Sequence, residues 1–111
     1  MNQTDLFPAA QRYFELMEES DKSRVLSVFA PDAIVLDDGH RYVGHQEILR
    51  WLTGPASEFT TTSTWLSAEQ TADTSSAKIR LSGNFPGSPV TLHYRLTVDT
   101  RGQIDSLAIT A

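Results

Sequence analysis

The first third of the chain carries two patterns of helical period. Between residues 5 and 19 the apolar side chains recur every three or four positions, which places them on one face of a helix. A second, shorter helix is predicted to follow the capping pair Ser20 and Asp21 and to extend through Phe29. It is expected to stop before Pro31, because the residue that precedes a proline is disfavoured in helical backbone.

The segment AIVLDDGHRYVG predicts a short β-hairpin. Apolar and β-branched residues run up to Asp37, and the pair Asp38 and Gly39 suits a two-residue turn because both residues tolerate positive φ. The next segment, HQEILRWL, returns to helical spacing, and we predict that this third helix ends at Gly54.

The rest of the chain has the period-two alternation of β-strands. Residues 77 to 85 and 90 to 98 alternate apolar with polar side chains, which predicts two strands joined by the turn PGSP. A further strand is predicted near residues 103 to 110, after a turn that ends in glycine. The threonine-rich stretch from residue 59 to residue 70 is also predicted as a strand, because threonine favours that conformation.

This order of elements predicts one α+β domain over residues 1 to 111, a length that suits a single core. Its sheet is expected to be curved, cone-shaped and largely antiparallel (mixed). Three helices from the N-terminal half of the chain are expected to cover the concave face, and the cone encloses a pocket.

Composition and charge exclude several functions. The formal net charge is −5 and the nine Lys and Arg residues are spread along the chain, so we expect no nucleic-acid partner. The absence of cysteine excludes disulfides and a thiolate nucleophile. The three histidines lack metal-ligand spacing, and we predict neither a metal nor another cofactor. Without a signal-peptide pattern or a long apolar run, a cytoplasmic protein with no membrane contact is expected.

The phrase VFAPDAIVLDDGHRYVGHQEILRWL, together with the order of elements, resembles the SnoaL-like branch of the nuclear transport factor 2-like superfamily. Within that superfamily, the segments AQRYFEL and FAPDAIVLDD resemble the ketosteroid isomerases. That resemblance implies a catalytic tyrosine at Tyr13 and a general base at Asp37. At the position of the family's protonated aspartic acid, which donates to the oxyanion, this chain has Tyr94 instead. Members commonly pair through the open face of the sheet, which implies a homodimer.

Strand alternation gives an independent reason to single out Asp37. Ala33, Val35 and Asp37 share one face of the predicted strand, and Asp38 lies on the other. A carboxylate held among apolar side chains suits the removal of a proton from carbon, and a tyrosine hydroxyl suits the stabilisation of the enolate oxygen. The alternative for Asp37 is the polar tip of a hairpin. For Tyr13 and Tyr94 it is a core tyrosine whose hydroxyl finds a hydrogen bond.

Four further residues are predicted to contact a ligand. Trp51 and Trp65 are large aromatic residues that either line the pocket or pack the core. Val35 shares the inward face with the aspartate, and His40 follows the aspartate pair as a second acid or base.

Three functions remain open at this stage. The first is an isomerase-, cyclase- or dehydratase-like enzyme that acts on a small, apolar carbonyl compound. The second is a noncatalytic pocket for a small apolar ligand. The third is a dimerisation module whose cone is filled by its own side chains.

Overall fold

Six strands form one mixed sheet in the order β2-β1-β6-β5-β4-β3, and helices cover one of its faces. The computed structural model describes residues 6–19, 21–58 and 60–111. The elements are α1 (Pro8–Met17), a 3-10 helix (Lys22–Val28), β1 (Phe29–Asp37), β2 (His40–Val43), α2 (Gly44–Thr53), a short 3-10 helix (Pro55–Ser57), β3 (Thr61–Gln70), β4 (Thr74–Gly83), β5 (Val90–Val98) and β6 (Ile104–Thr110).

The sheet is antiparallel except where β1 and β6 pair in parallel, with Val35 beside Leu107. This parallel pair brings the N-terminal hairpin next to the C-terminal strand, so the sheet is continuous across the chain. The predicted α+β class, with a curved mixed sheet behind helices from the N-terminal half, is confirmed. None of the described helices is long and apolar enough to cross a membrane.

The start of α1 is fastened to the far end of the β3-β4 hairpin. The backbone N–H of Phe7 donates to Oε1 of Gln70 at 2.9 Å and to Oγ of Ser75 at 3.1 Å. Ser75 is fully buried and also hydrogen bonds to Gln70. These two polar side chains replace the side-chain cap that the helix lacks. They fix the position from which α1 sends Tyr13 into the interior.

The second predicted helix differs from expectation. It is a 3-10 helix that ends at Val28, and Phe29 already belongs to β1. The prediction that Phe29 is helical is therefore wrong, because its backbone pairs with Ile104 and its buried ring meets that of Tyr13 at a centroid distance of 6.0 Å. Pro31 does not precede the strand but lies within it, where the β1-β6 register shifts and its missing N–H disrupts no regular pairing.

The hairpin predicted around Asp38 and Gly39 is confirmed. Asp37 pairs with His40, and the two turn residues have φ values of 53° and 76°. Positive φ at both positions gives the backbone twist that suits a two-residue loop between twisted strands. Asp37 is therefore the last residue of β1, and its side chain stays on the face that the strand alternation gives it.

The third predicted helix is also confirmed and ends at Thr53, one residue before Gly54. At its start, Oε1 of Glu47 accepts a hydrogen bond from the backbone N–H of Val43 at 2.7 Å, which satisfies one of the free donors before the first turn. Its inward face buries three side chains: Ile48, Trp51 and Leu52.

The remaining strand predictions hold with shifted ends. β4 begins at Thr74 rather than at residue 77, and it ends at Gly83, so that Phe85 lies in the following turn. β3 runs from Thr61 to Gln70 and is bulged between Trp65 and Ser67. Residue 59, where this strand was predicted to start, lies outside the described residues.

Candidate functional site

A cavity of about 750 Å³ lies among α1, α2 and the strands β3, β4 and β5. Its inner wall is formed by buried and half-buried side chains, most of them aromatic or aliphatic: Tyr13, Phe14, Met17, Trp51, Trp65, Ile79, Leu81, Leu92, Tyr94 and Ile109. We call the exposed lining residues the rim: Glu18, Pro55, Ser57, Thr60, Thr61, Ser63 and Pro86. The predicted site residues Asp37, Tyr13, Tyr94, Trp51 and Trp65 all line this one cavity.

Asp37 contributes the carboxylate of the inner part of the cavity. Ala33 and Val35, which precede it on the same face of β1, are completely buried, whereas Leu36 on the other face is 45% exposed. Asp37 itself is half-buried, and Asp38 is exposed in the turn. The strand alternation thus separates the two neighbouring aspartates, and only the first lines the cavity.

Tyr13 is buried in α1 and has its ring edge-to-face with that of Phe14 at a centroid distance of 5.0 Å. Within the described part of the chain, its hydroxyl has no hydrogen-bond partner. Every completely enclosed side-chain N or O atom of the described residues does have a partner. The Tyr13 hydroxyl therefore reaches the open space of the cavity and is free to donate to a ligand.

Tyr94 stands in the middle of β5, between Ala77 of β4 and Ile109 of β6. Its ring packs edge-to-face on Phe14 at a centroid distance of 5.3 Å. Among the described residues its hydroxyl has no hydrogen-bond partner either. The two phenols thus approach the cavity from opposite layers, one from the helix and the other from the sheet.

Both phenols are held in their protonated form. Burial, followed by the negative charge of Asp37, raises the pKa of Tyr94 to about 12. Burial raises the pKa of Tyr13 well above its usual value, and Tyr94 and Asp37 add to the effect. Because Asp37 acts on both tyrosines, the three groups share one electrostatic environment. This environment contains the carboxyl group of Asp37 and two hydroxyl donors.

Trp51 makes a contact that the sequence did not reveal. Its indole Nε1 donates a hydrogen bond to Oδ2 of Asp37 at 2.9 Å. The indole is buried, and its ring lies against that of Tyr42 at a centroid distance of 6.1 Å. The prediction treated Trp51 as a wall of the pocket or as core packing. The helical spacing of the third helix placed Trp51 beside its apolar face, but no sequence signal joined it to Asp37.

Trp65 reaches the cavity from β3. Its half-buried ring packs edge-to-face on Phe14 at a centroid distance of 4.7 Å. Phe14 therefore joins Tyr13, Trp65 and Tyr94 into one aromatic cluster. Phe14 was not among the predicted site residues, although its place on the inward face of α1 is visible in the helical spacing.

The structure does not bring Val35 or His40 to the cavity. Val35 is completely buried in the core and is not part of the lining. His40 is exposed on β2, where its Nδ1 lies 3.1 Å from the carbonyl oxygen of Asp38. Val35 and His40 therefore do not line the cavity that contains Asp37, because sharing a strand face with Asp37, or following it in sequence, does not ensure a place in the same cavity.

Sequence reasoning also missed the charged residues where α1 meets the 3-10 helix. Glu18, Glu19 and Lys22 line the cavity. Lys22 Nζ donates to the carbonyl oxygen of Glu19 at 2.9 Å, and the Glu19 carboxylate pairs with Arg24 at 2.7 Å. In the described ranges, no cluster of three or more His, Cys, Asp or Glu residues is arranged to hold a metal ion.

Comparison with known proteins gives one family and a consistent fold. The family model of the SnoaL-like domain matches residues 10–104. A crystal structure of a proposed polyketide cyclase from Sinorhizobium meliloti superposes with a TM-score of 0.89 and 34% sequence identity, over 99% of this chain and 100% of that chain. No curated protein matches the sequence.

More distant structures share the fold. The Δ5-3-ketosteroid isomerase of Mycobacterium sp. has a TM-score of 0.76 at 17% identity, over 93% of this chain and 90% of that chain. A Mycobacterium tuberculosis protein in complex with estradiol-17β-hemisuccinate has a TM-score of 0.72 at 16% identity, over 93% and 90% of the two chains.

Proposed function

The chain belongs to the SnoaL-like domain family, and we propose that it is an enzyme that moves a proton within a small, apolar carbonyl compound. One observation carries the proposal. The carboxylate of Asp37 and the protonated phenols of Tyr13 and Tyr94 line the same largely apolar cavity. A base and two hydroxyl donors in one largely apolar cavity are the groups that enolate chemistry needs.

In the proposed reaction, Asp37 removes a proton from the carbon next to the substrate carbonyl. The electron pair of the broken C–H bond moves into the carbonyl group, and negative charge develops on its oxygen. Tyr13 and Tyr94 donate hydrogen bonds to that oxygen and lower the barrier, because both side chains line the cavity and both phenols are protonated. For an isomerisation of a β,γ-unsaturated substrate, Asp37 then returns the proton to the γ-carbon, and the C=C bond moves into conjugation with the re-formed carbonyl group. For a cyclisation, the enolate carbon forms a bond to a second carbonyl carbon, the π electron pair of that carbonyl moves to its oxygen, and the resulting alkoxide takes the proton from Asp37.

The indole of Trp51 defines which oxygen of Asp37 acts as the base. Because Oδ2 accepts the Trp51 hydrogen bond, the other carboxylate oxygen is the one left to receive the proton. The relative from Sinorhizobium meliloti supports this class of chemistry, because it is a proposed polyketide cyclase and matches this chain over its full length. The steroid ligand of the Mycobacterium tuberculosis protein supports an apolar substrate of cyclic shape.

Turnover by a matched pair of variants tests the proposal. Cyclic enones and β-keto compounds are screened by ultraviolet absorbance with the wild-type protein, Asp37→Asn and Asp38→Asn. The two substitutions remove the same charge from adjacent positions, one in the cavity and one in the turn. We expect Asp37→Asn to lower kcat by about 10²- to 10⁴-fold and Asp38→Asn to leave it unchanged. Wild-type activity that persists in Asp37→Asn disproves the role of Asp37.

A noncatalytic pocket is the second candidate, and the hydrogen bond between Trp51 and Asp37 favours it. In this case Asp37 serves to join α2 to β1, and the cavity holds a ligand without changing it. The absence of turnover across the screen, together with tight binding of a steroid or a similar apolar compound, supports this candidate over the enzyme.

We also propose that two copies pair through the face of the sheet that points away from the helices. That face carries Leu36, which is 45% exposed, and Leu66, which is 42% exposed. Light scattering after size exclusion is expected to give the mass of a dimer, and Leu36→Lys is expected to give a monomer. Leu49→Lys, on the exposed side of α2, is the matched control and should remain dimeric. A monomeric wild-type protein contradicts this pairing.

A further inference from the structure

Asp37 places a negative charge in the cavity that no described cation neutralises. Its side-chain hydrogen bond comes from the neutral indole of Trp51. Within the described ranges, the one ion pair of the protein joins Arg24 to Glu19 and does not involve Asp37. A half-buried carboxylate without a counter-ion attracts a cation that can enter the same cavity.

The other charges of the lining do not compensate. They comprise the carboxylates of Glu18 and Glu19 and the ammonium group of Lys22. The Glu19 carboxylate is already paired with Arg24, and the Lys22 ammonium is bound to the carbonyl oxygen of Glu19. Carboxylates outnumber cations in the lining by three to one, so that the cavity repels anionic ligands.

The aromatic cluster provides the second half of a cation site. Phe14 lies edge-to-face with Tyr13, Trp65 and Tyr94, at centroid distances of 5.0, 4.7 and 5.3 Å. All four rings line the cavity that Asp37 also lines. The faces of aromatic rings carry negative potential and attract cations, most strongly where water is excluded.

We propose that this cavity binds small organic ammonium ions, tertiary or quaternary amines with apolar substituents, whose cationic centre lies between Asp37 and the aromatic cluster. The ammonium charge takes the place of the missing counter-ion, and the apolar substituents contact the aliphatic wall around Leu92. The inference uses the cavity of the proposed function, but it does not depend on catalysis. For a neutral carbonyl substrate, such a cation is a competitor.

Choline and its uncharged carbon isostere, 3,3-dimethyl-1-butanol, test the effect of charge at constant shape. Each is titrated into ¹⁵N-labelled full-length protein, and the indole N–H resonance of Trp51 is followed because that proton reports on Asp37. The anion 3,3-dimethylbutanoate is titrated in parallel. We expect choline to bind about tenfold more tightly than the isostere, and the anion to bind most weakly.

The variants Asp37→Asn and Asp38→Asn test whether the preference for choline depends on the carboxylate of Asp37. Asp37→Asn is expected to remove the preference for choline, and Asp38→Asn is expected to keep it. Equal binding of choline and its isostere overturns the inference, and so does failure of choline to bind or a preference that survives in Asp37→Asn. A preference for choline without turnover of any carbonyl compound supports the cation site and contradicts the proposed enzyme. Turnover of a carbonyl compound with equal binding of choline and its isostere supports the proposed enzyme and contradicts the cation site.

Discussion

The indole Nε1 of Trp51 donates a hydrogen bond to Oδ2 of Asp37 at 2.9 Å, across the contact between α2 and β1. The donor is buried, and the acceptor is the last residue of its strand before an exposed turn. The bond links the position of a helix to the orientation of a carboxylate. Loss of this bond is therefore expected to affect both the stability of the fold and the orientation of the Asp37 carboxylate.

A double-mutant cycle measures this bond. Trp51→Phe, Asp37→Ala and the double variant are unfolded with urea, and the coupling energy is taken from their free energies of unfolding. We expect a coupling energy of about 1.5 to 3 kcal/mol, which is typical of a hydrogen bond to a charged group. Either single variant already loses this bond, so the double variant should lose less stability than the sum of the two single variants. The same cycle with Asp38→Ala in place of Asp37→Ala should give a coupling close to zero. Equal couplings in the two cycles mean that the indole does not stabilise Asp37 specifically.

The two tyrosines are expected to act together on the substrate oxygen. Tyr13→Phe and Tyr94→Phe should each lower kcat by about 10²-fold, because each removes one donor to the developing negative charge. The double variant should lose less than the product of the two effects, since both hydroxyls stabilise the same oxygen.

Tyr42→Phe is the matched control for these variants, because the Tyr42 ring lies against that of Trp51 outside the cavity lining. It should change kcat little. If Tyr94→Phe is as active as Tyr42→Phe, then Tyr13 alone serves as the oxygen donor, and Tyr94 belongs to the cavity wall.

Stability should fall at high pH because of the same phenols. In the unfolded chain a tyrosine ionises near pH 10, whereas burial and Asp37 raise the pKa of folded Tyr94 to about 12. The unfolded state therefore loses a proton first, so that the stability gained from the neutral folded phenol is complete below pH 10 and is lost as the pH rises toward 12. Tyr13 contributes in the same direction.

Urea unfolding between pH 8 and pH 11.5 measures this effect. Tyr94→Phe should show a shallower loss of stability above pH 10 than the wild-type protein. Leu52→Ala removes core packing outside the cavity lining without removing a titratable group, and it should lower stability by a similar amount at every pH. An identical pH slope in Tyr94→Phe and the wild type contradicts the pKa shift of Tyr94.

The sequence predicted those parts of the fold and site that depend on local periodicity. Period-two alternation located β4 and β5, and it separated Asp37 from Asp38, because neighbouring side chains on a strand face opposite ways. Periodicity shows which face of a strand a side chain is on, but not whether that side chain is enclosed in the core or lines a cavity. For this reason it grouped Val35 with Asp37, although the core closes over the first and the cavity opens at the second.

Local sequence patterns could not predict the contacts between secondary-structure elements. The bond from Trp51 to Asp37 depends on how α2 lies across β1, which tertiary packing determines. The early start of β1 at Phe29 likewise depends on pairing with Ile104, distant in sequence. The resemblance to ketosteroid isomerases did single out Tyr13 and Asp37, which line one cavity, but their roles in a reaction remain predictions.

Gly83 at the end of β4 is expected to tolerate no side chain, because the backbone of the neighbouring strand approaches it closely. A Cβ atom there would lie 2.3 Å from the carbonyl oxygen of Thr60 and 3.2 Å from the Cα of Thr61. Both atoms belong to backbone that cannot turn aside as a flexible side chain can. Gly83→Ala should therefore displace the rim at Thr60 and Thr61 and lower the free energy of unfolding by about 1 to 3 kcal/mol. Ser82→Ala, an exposed neighbour on the same strand, should change it by less than about 0.5 kcal/mol, and equal values for the two variants would contradict the close approach.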